Sequence, residues 1–315
     1  MQHNLEKKEV RNKQIINVVV KTILLLATLI SASIIILIVV QIAGRGLRPL
    51  FQYYEVQQGN EIIKIKLNFF TFISGTTYTA PLYQIGFIII NTLFIVLLAV
   101  LIATPISILT SIFVVKIAPK FLSTGLTTIV EMLAAVPSII FGMFGSGFIS
   151  KIVQSIARLF GREIGLNSLL TTIIVLVIMI LPTITMMSIT AVRSVKPEIE
   201  EGSLALGVTP MQTYFKVTLK KAKSGIFAGV ILAIGRALGE ATAVSLVSGN
   251  TGKGPNFDLF GPTRTLTSTI LSGLKETSGF DYDVRFTIGL VLIAIILVTN
   301  IILNKAKKRM SRYES

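Results

Sequence analysis

Six long apolar runs, almost free of charged residues, constrain the folding of this chain more than any other feature. A helix needs about 20 apolar residues to cross the hydrocarbon core of a bilayer, and each run is close to that length or longer. Backbone N–H and C=O groups find no water in that layer, so helices are the structure that such runs can form there. We therefore predict an all-α, polytopic membrane protein. The six predicted spans are residues 18–43, 84–115, 122–148, 168–192, 224–248 and 286–304.

Composition agrees with this class and excludes several kinds of chemistry. Only 14% of the residues are charged, against about 25% in a soluble domain. The chain has no cysteine, and its one histidine, His3, lies near the N-terminus. Disulfides, thiolate metal sites and Cys- or His-based catalysis are therefore excluded. Because the aspartates all lie in one predicted loop, no intramembrane aspartyl pair exists either. We expect no catalytic residue, no metal site and no cofactor.

The distribution of positive charge predicts the orientation of the chain in the membrane. Six spans place both termini on one side, and the segments on that side hold more than half of the 30 Lys and Arg residues. Because basic residues concentrate in cytoplasmic loops, we predict that both termini lie in the cytoplasm. The net charge of +15 then reflects topology and contact with membrane lipid, and nucleic acid is not an expected partner.

The spans divide the chain into a core and smaller flanking parts. The first apolar run is too long for a signal peptide, so we interpret it as a retained span. The predicted parts are a cytoplasmic tail (1–17), the first transmembrane helix with an external segment (18–83), a core permease domain with five spans (84–305) and a second cytoplasmic tail (306–315).

Three external segments carry local patterns. The stretch EIIKIKLNFF, within residues 44–83, alternates in the manner of a strand and predicts a short hairpin. The apolar residues of SKIVQSIARLFGREIG, within 149–167, recur at helical spacing and predict a short interfacial helix. Within 249–283, glycines and prolines indicate a loop, and TLTSTILSGLKE after them predicts a helix.

The loop between the fourth and fifth spans, residues 194–223, is polar but strongly patterned. Pro197 followed by acidic residues is typical of a helix start. Gly207 predicts the end of that helix, and Thr209 with Pro210 predicts the start of another. We therefore predict a helix–turn–helix lying across the cytoplasmic face of the membrane. The apolar side chains that it offers to a partner are Leu204, Leu206, Met211, Tyr214 and Phe215.

This loop resembles the EAA loop of importer permeases in the ATP-binding cassette superfamily. The residues on the register of that motif are Glu201, Gly207, Val217 and Leu219, and the departures from it are Gly202, Ser203 and Lys220. The resemblance implies a permease fold of the type I importers, whose cytoplasmic coupling helices dock on an ATPase. The residues that it assigns to coupling are Glu200, Glu201, Gly207, Tyr214, Phe215 and Leu219. Because the chain contains no GxxxxGK[ST] motif, the ATPase must be a separate polypeptide.

Two ionisable residues, Arg236 and Glu240, interrupt the fifth apolar run. Counted from Ser224 at about 1.5 Å per residue, Arg236 lies roughly 18 Å into the membrane. An unpaired arginine at that depth costs at least about 2.5–3.5 kcal/mol on insertion scales. One interpretation is a structural ion pair with Glu240, one helical turn away. The other, which we favour, is a path for an anion, because a guanidinium suits bidentate contacts to phosphate or carboxylate.

A third ionisable residue, Glu131, interrupts the third apolar run. It could pair with Arg236, line the same path, or serve as a buried structural carboxylate. Pro137 follows it and breaks the backbone hydrogen-bond ladder, which is typical of a hinge or cavity but is also compatible with packing alone.

Two further segments extend the resemblance to phosphate-specific transport permeases. They are EMLAAVPSIIFGMFG at 131–145 and GVILAIGRALGEATAV in the fifth run, and the sequence that follows resembles the C-type subunit more than the A-type. The resemblance implies import of inorganic phosphate across the bacterial cytoplasmic membrane, with Arg236 and Glu240 in the path. It also implies three partners: a homologous A-type permease subunit, two copies of the cytoplasmic ATPase and an external phosphate-binding protein. A permease for molybdate, sulfate or an amino acid, and a non-transporting scaffold, remain alternatives.

Overall fold

The computed structural model describes residues 2–58 and 61–311, and helices dominate this part of the chain. Six helical segments within it are long and apolar enough to cross a membrane. They are Ile16–Phe51, Gly86–Ile117, Ser138–Leu159, Leu169–Arg193, Pro210–Gly239 and Gly279–Arg309. The predicted class and the predicted number of spans are therefore confirmed.

The elements follow one another in a simple order. The helices are α1 (Gln2–Gly46), α2 (Arg48–Phe51), α3 (Phe69–Ser74), α4 (Gly86–Ile112), α5 (Lys120–Ala135), α6 (Ser138–Phe144), α7 (Ser150–Leu159), α8 (Leu169–Arg193), α9 (Pro197–Ala205), α10 (Pro210–Gln212), α11 (Leu219–Gly239), α12 (Thr242–Val247), α13 (Leu266–Leu271) and α14 (Gly279–Ser311). The strands are β1 (Tyr54–Gln58), β2 (Glu61–Ile65), β3 (Tyr78–Thr79) and β4 (Leu82–Tyr83).

Three π-helical turns, in which each N–H bonds to the carbonyl five residues earlier, extend or join these helices. They are Phe113–Ile117 after α4, Gly145–Ile149 between α6 and α7, and Thr213–Thr218 between α10 and α11. Such turns are rare and are often found at functional sites.

The predicted third span, 122–148, is wrong in its bounds. The chain leaves helical geometry at Val136 and Pro137, which both have extended ψ angles. Proline lacks the N–H that would continue α5, and its ring disfavours helical geometry at the residue before it. The segment that can span the membrane begins after this break and runs from Ser138 to Leu159. It therefore includes much of the stretch that we predicted to form a separate interfacial helix.

The predicted fifth span, 224–248, is also divided. Helix α11 ends at Gly239, Glu240 has an extended ψ of 113°, and α12 begins at Thr242. No proline marks this break, so the apolar pattern alone did not reveal it. Arg236 consequently lies in the last turn of α11, and Glu240 is outside the helix.

Helices α4, α8 and α11 form the core of the bundle. Their apolar residues interlock in one cluster that includes Ala103 on α4, Ile180 on α8 and Ala233 on α11, all fully buried. Two glycines bring α11 close to α8. A Cβ on Gly225 would lie 2.6 Å from Ala191 Cβ, and a Cβ on Gly229 would lie 2.6 Å from Met187 Cβ. Small residues at such positions allow close backbone approach between membrane helices.

The external segments form short strands and helices between the spans. Strands β1 and β2 pair antiparallel, with Val56 opposite Ile63, which confirms the predicted hairpin. The predicted helix in the last external loop is α13, shorter than the pattern indicated. Arg162 ties this loop to the chain after α7 by donating hydrogen bonds to both carboxylate oxygens of Asp258, at 2.8 and 2.5 Å. These hydrogen bonds lower the pKa of Asp258.

A polar cluster, which we call the outer clasp, joins the outer end of α1 to α14. Tyr54 donates a 2.7 Å hydrogen bond to Asp283, and Arg45 lies 3.7 Å from the same carboxylate. Thr287 donates a 2.8 Å hydrogen bond to the carbonyl of Gly46. Burial, followed by the Asp283 contact, raises the pKa of Tyr54 to about 12, so the phenol stays protonated at neutral pH. The most apolar window of α1 has no buried residue, so the clasp is the main polar attachment of this helix.

The close approach of α11 to α8 predicts a strong difference between two glycines of the same helix. Gly229→Val places a branched side chain against Met187, and overpacking of this kind costs about 1–3 kcal/mol. Gly235→Val is the matched control, because no described atom outside the adjoining backbone of its own helix lies within 4 Å of the position that its Cβ would take. In thermal unfolding followed by circular dichroism, the midpoint should fall clearly only for Gly229→Val. Equal midpoints would contradict the packing described here.

Candidate translocation and coupling sites

Arg236 is held at the outer end of α11 by a neutral partner. Its Nη1 atom donates a 2.9 Å hydrogen bond to Thr183 Oγ1 on α8, directly after Pro182. The side chain is half-buried. No ion pair joins Arg236 to Glu240, Glu131 or any other carboxylate in the described residues. The structure therefore does not contain the structural ion pair that was one interpretation of this sequence.

Glu240 instead stabilises the break between α11 and α12. Its Oε1 atom accepts a 2.9 Å hydrogen bond from the backbone N–H of Ala243, in the first turn of α12. Its carbonyl oxygen accepts a 2.6 Å hydrogen bond from the hydroxyl of Thr267 on α13. An interrupted helix exposes backbone donors and acceptors, and these two contacts satisfy some of them. Glu240 thus binds backbone groups, and its second carboxylate oxygen makes no hydrogen bond within the described chain.

Arg236 borders a face of α11 that no other element covers. Leu232 and Gly239 on this face are exposed, and no described atom lies within 4 Å of the position that a Cβ on Gly235 or Gly239 would take. The adjacent face, which packs on α8, carries Gly229 two turns before Arg236. The guanidinium therefore lies at the boundary between the core of this chain and a surface that is open in the isolated subunit.

The structure does not bring Glu131 to Arg236. Glu131 lies on α5, is exposed, and makes no hydrogen bond or ion pair with another described residue. Within this subunit, Glu131 is therefore not a buried carboxylate. Its place beside a solute path remains a prediction.

The coupling segment has the predicted helix–turn–helix form. Helix α9 begins at Pro197, and Gly207 ends it with a left-handed φ of +79°. The N–H of Gly207 bonds to the carbonyl of Leu204 at 2.9 Å, and that of Val208 bonds to the carbonyl of Ser203 at 3.4 Å. This pattern is a Schellman motif, which glycine adopts most easily. Thr209 then caps the next helix by accepting a hydrogen bond from the N–H of Gln212.

One side of the coupling segment is apolar and exposed. Leu206, at the turn, has 86% of its surface accessible, and Leu204, Met211 and Phe215 are exposed beside it. Glu201 is exposed, whereas Tyr214 and Leu219 are half-buried. A protruding apolar surface rimmed by charge is typical of a protein–protein contact.

The other side of the segment is held inward by polar contacts. Ser203 is buried, and its hydroxyl lies 3.0 Å from that of Thr213, which joins the two coupling helices. Glu200 also points inward. Its carboxylate contacts Lys116 Nζ at 2.7 Å and accepts a 2.7 Å hydrogen bond from the Thr218 hydroxyl. Glu200 was expected to contact an ATPase, and in this structure its side chain contacts the permease itself.

Sequence reasoning missed three of the residues that complete these sites: Thr183, Lys116 and Thr218. Each is the partner of a predicted site residue; Thr183 and Lys116 come from other helices, and Thr218 comes from the other end of the coupling loop. Lys116 gave a weak signal, because it follows directly on an apolar run, and the two threonines gave none. Within the described ranges, no group of acidic or histidine side chains could hold a metal ion.

Comparison with known proteins places this architecture in a family. Residues 118–312 match the family described as the inner membrane component of binding-protein-dependent transport systems. The match covers more than half of the chain, including the coupling segment and the residues around Arg236. The chain belongs to this family, and it is a multi-pass membrane protein.

Several individual proteins are similar to this chain over most of its length. The chain is 34% identical over 242 residues to the phosphate transport system permease protein PstC of Pasteurella multocida, covering 72% of this chain and 74% of that protein. It is 36% identical over 223 residues to the probable ABC transporter permease protein YqgH of Bacillus subtilis, covering 70% of each. A chain of a bacterial alginate ABC transporter, crystallised with its alginate-bound periplasmic protein, has the same fold, with a TM-score of 0.64, 18% identity and coverage of 91% and 94%.

The left-handed turn of the coupling segment predicts a local effect of Gly207→Ala. A residue with a Cβ costs roughly 1–2 kcal/mol in this conformation, although open space surrounds the position. Gly202→Ala, in the interior of the same helix and also in open space, should instead stabilise α9 by about 1 kcal/mol. Amide hydrogen exchange across residues 197–205 should become faster in the first variant and slower in the second. The same sign of change in both variants would contradict the assignment of this turn.

Proposed function

We propose that this chain is the C-type permease subunit of an ATP-driven importer of inorganic phosphate in the bacterial cytoplasmic membrane. One observation carries the proposal: the guanidinium of Arg236 lies within a membrane span, has no carboxylate partner among the described residues and borders an open face. A cation at membrane depth without a counter-ion favours the entry of an anion. Family membership and the relatives named above support the same conclusion.

The geometry around Arg236 suits a solute that must be released again. The hydroxyl of Thr183 occupies one N–H of the guanidinium, and other N–H groups are left for a passing oxyanion. Two opposite unit charges 4 Å apart attract by about 4 kcal/mol at an effective dielectric constant of 20. Desolvation of phosphate opposes this gain. We therefore expect weak, transient binding of phosphate in the permease.

We propose that the open face of α11 lines a central route shared with the homologous A-type subunit. Gly235 and Gly239 leave room there, either for a solute or for the close approach of a helix from that subunit. Glu240 fixes the position of the break beside Arg236. Glu131, exposed on α5, lines the cytoplasmic part of the route. An external phosphate-binding protein would deliver the solute to the outer ends of the helices.

On the cytoplasmic side, we propose that the coupling segment docks on the ATPase. The exposed side chains of Leu206, Met211 and Phe215 fit an apolar groove, with Glu201 at the rim. Two ATPase copies would serve the two permease subunits. Closure of the ATPase pair on ATP would move both coupling segments and convert the permease between outward-facing and inward-facing forms.

The rival function is a permease of the same family for another oxyanion, such as sulfate or molybdate. The guanidinium of Arg236 provides charge and hydrogen bonds that all of these ions can use. Uptake of radiolabelled phosphate into proteoliposomes, with each unlabelled anion as competitor, separates the two functions.

Arg236→Gln should lower phosphate uptake at least about tenfold, because a hydrogen bond to a charged group contributes about 1.5–3 kcal/mol. The measurement is uptake by the assembled transporter in proteoliposomes, with ATPase co-purification as a check on assembly. Arg236→Lys keeps the charge but loses the planar guanidinium, so its uptake should lie between that of the wild type and that of Arg236→Gln.

Arg193→Gln is the matched control for this prediction, because it removes an exposed arginine at the cytoplasmic end of α8. Its uptake should equal that of the wild type. Wild-type uptake by the assembled Arg236→Gln transporter would remove the role that we propose for this residue.

Leu206→Asp should weaken association with the ATPase about tenfold, because single central side chains often dominate such interfaces. Glu201→Lys, a charge reversal at the rim, should weaken it to a smaller extent, mainly by slowing association. The measurement is the amount of ATPase that co-purifies with the permease in a series of wash steps. Glu163→Lys reverses an exposed charge in the external loop after α7 and should leave co-purification unchanged. Normal ATPase retention and stimulation in both coupling variants would show that docking lies elsewhere.

A further inference from the structure

The side chain of Glu200 is the centre of a polar cluster that the proposed route and docking surface do not use. Its two carboxylate oxygens lie 2.7 and 2.8 Å from Lys116 Nζ, and one of them also accepts the 2.7 Å hydrogen bond from Thr218. Only 18% of the Lys116 side chain and 14% of the Glu200 side chain are exposed, and Thr218 is fully buried. We call these three residues the inner latch.

The inner latch joins both ends of the coupling segment to a third, distant part of the chain. Lys116 lies in the π-helical turn that ends α4, Glu200 lies in the middle of α9, and Thr218 is the last residue of the π-helical turn before α11. Helix α4 belongs to the core that also contains α8 and α11. The first coupling helix is therefore tied directly to a core helix with which it is not contiguous in the chain.

Burial makes this ion pair different from the exposed pair in the outer hairpin. Lys64 and Glu55 lie 3.5 Å apart with most of both side chains in water, and a pair of that kind contributes little to stability. In the inner latch, removal of either charge leaves the other buried without its partner, which is unfavourable. Separating the three segments therefore costs more free energy than moving them together.

Both partners of Glu200 lie in π-helical turns, a rare geometry that is frequent at functional sites.

We propose that Lys116, Glu200 and Thr218 are positioning residues that transmit movement of the coupling segment to α4 as well as to α11. The proposal rests on the proposed function, because it assumes that an ATPase moves the coupling segment. Glu200 then acts within the permease, and its exposed neighbour Glu201 faces the ATPase. This division follows from the helix: Ser203, three residues after Glu200, is buried on the same face.

The first experiment measures coupling in the assembled transporter in proteoliposomes, as solute taken up per ATP hydrolysed. Glu200→Gln, Lys116→Met and Thr218→Val should retain the ATPase. The two charge-neutralising variants should lower the coupling ratio about tenfold, because contacting groups in a network interact with energies of this order. The single reversals Glu200→Lys and Lys116→Glu should lower it further.

The decisive variant is the double reversal Lys116→Glu with Glu200→Lys, which restores an ion pair of opposite order. The Thr218 hydroxyl can donate or accept, so it fits either arrangement. The coupling ratio should recover at least several-fold over both single reversals. Glu198→Gln and Lys120→Met, which neutralise exposed residues of the same types close by, are the matched controls and should keep the wild-type ratio.

The second experiment is independent of the solute and uses the absence of cysteine from the sequence. Spin labels are attached to cysteines introduced at Lys196 and Phe121, which are exposed next to α9 and to the inner end of α4. The distance between the labels is measured with and without ATP and vanadate. It should stay constant in the wild type and change between states in Glu200→Gln.

The possible outcomes separate this inference from the proposed function. If the wild type takes up another anion and not phosphate, the proposed function fails, while the label distances still test the latch. If the double reversal couples no better than the single reversals, or the label distance is constant in Glu200→Gln, the latch has no transmitting role. Loss of the ATPase from Glu200→Gln would also overturn it, because Glu200 would then be part of the docking surface.

Discussion

The architecture depends on one constraint: backbone N–H and C=O groups have no water to bind inside a bilayer. Continuous helices meet this constraint, which explains why long apolar runs predict the fold so well. The two places where a helix breaks must meet it with other groups. Pro137 has no backbone N–H, so one donor fewer needs a hydrogen-bond partner at the first break. At Glu240 a carboxylate and a threonine hydroxyl supply the missing partners, so polar side chains are concentrated beside Arg236.

The number and order of the spans could be predicted because hydropathy is a local property of the sequence. The bounds of the broken spans could not. The apolar pattern continues through Val136 and through Glu240 to Val247, although the helix does not. Whether a helix continues through such a residue depends on which neighbours can satisfy its backbone groups. Those neighbours, such as Thr267, come from distant parts of the chain.

The difference between local sequence and distant contacts also separates the correct from the incorrect predictions about side chains. The turn at Gly207 is specified by nearby residues, and the structure has it as predicted. Nearby residues do not specify the direction of the Glu200 side chain. A carboxylate on a short helix points to solvent or to the core according to which residues the helix packs on. Lys116 lies beneath it, 84 positions earlier. Arg236 was correctly placed within a span, but its partner is a hydroxyl and not the carboxylate four residues away.

The outer clasp has a consequence for biogenesis. The hydrogen bond from Tyr54 to Asp283 joins residues 229 positions apart, close to the first and last spans. In a growing polypeptide the first helix therefore lacks these polar contacts until the final helix has left the ribosome. Closure of the clasp then marks completion of the subunit, and a truncated product would leave Arg45 and Tyr54 without the carboxylate that they share.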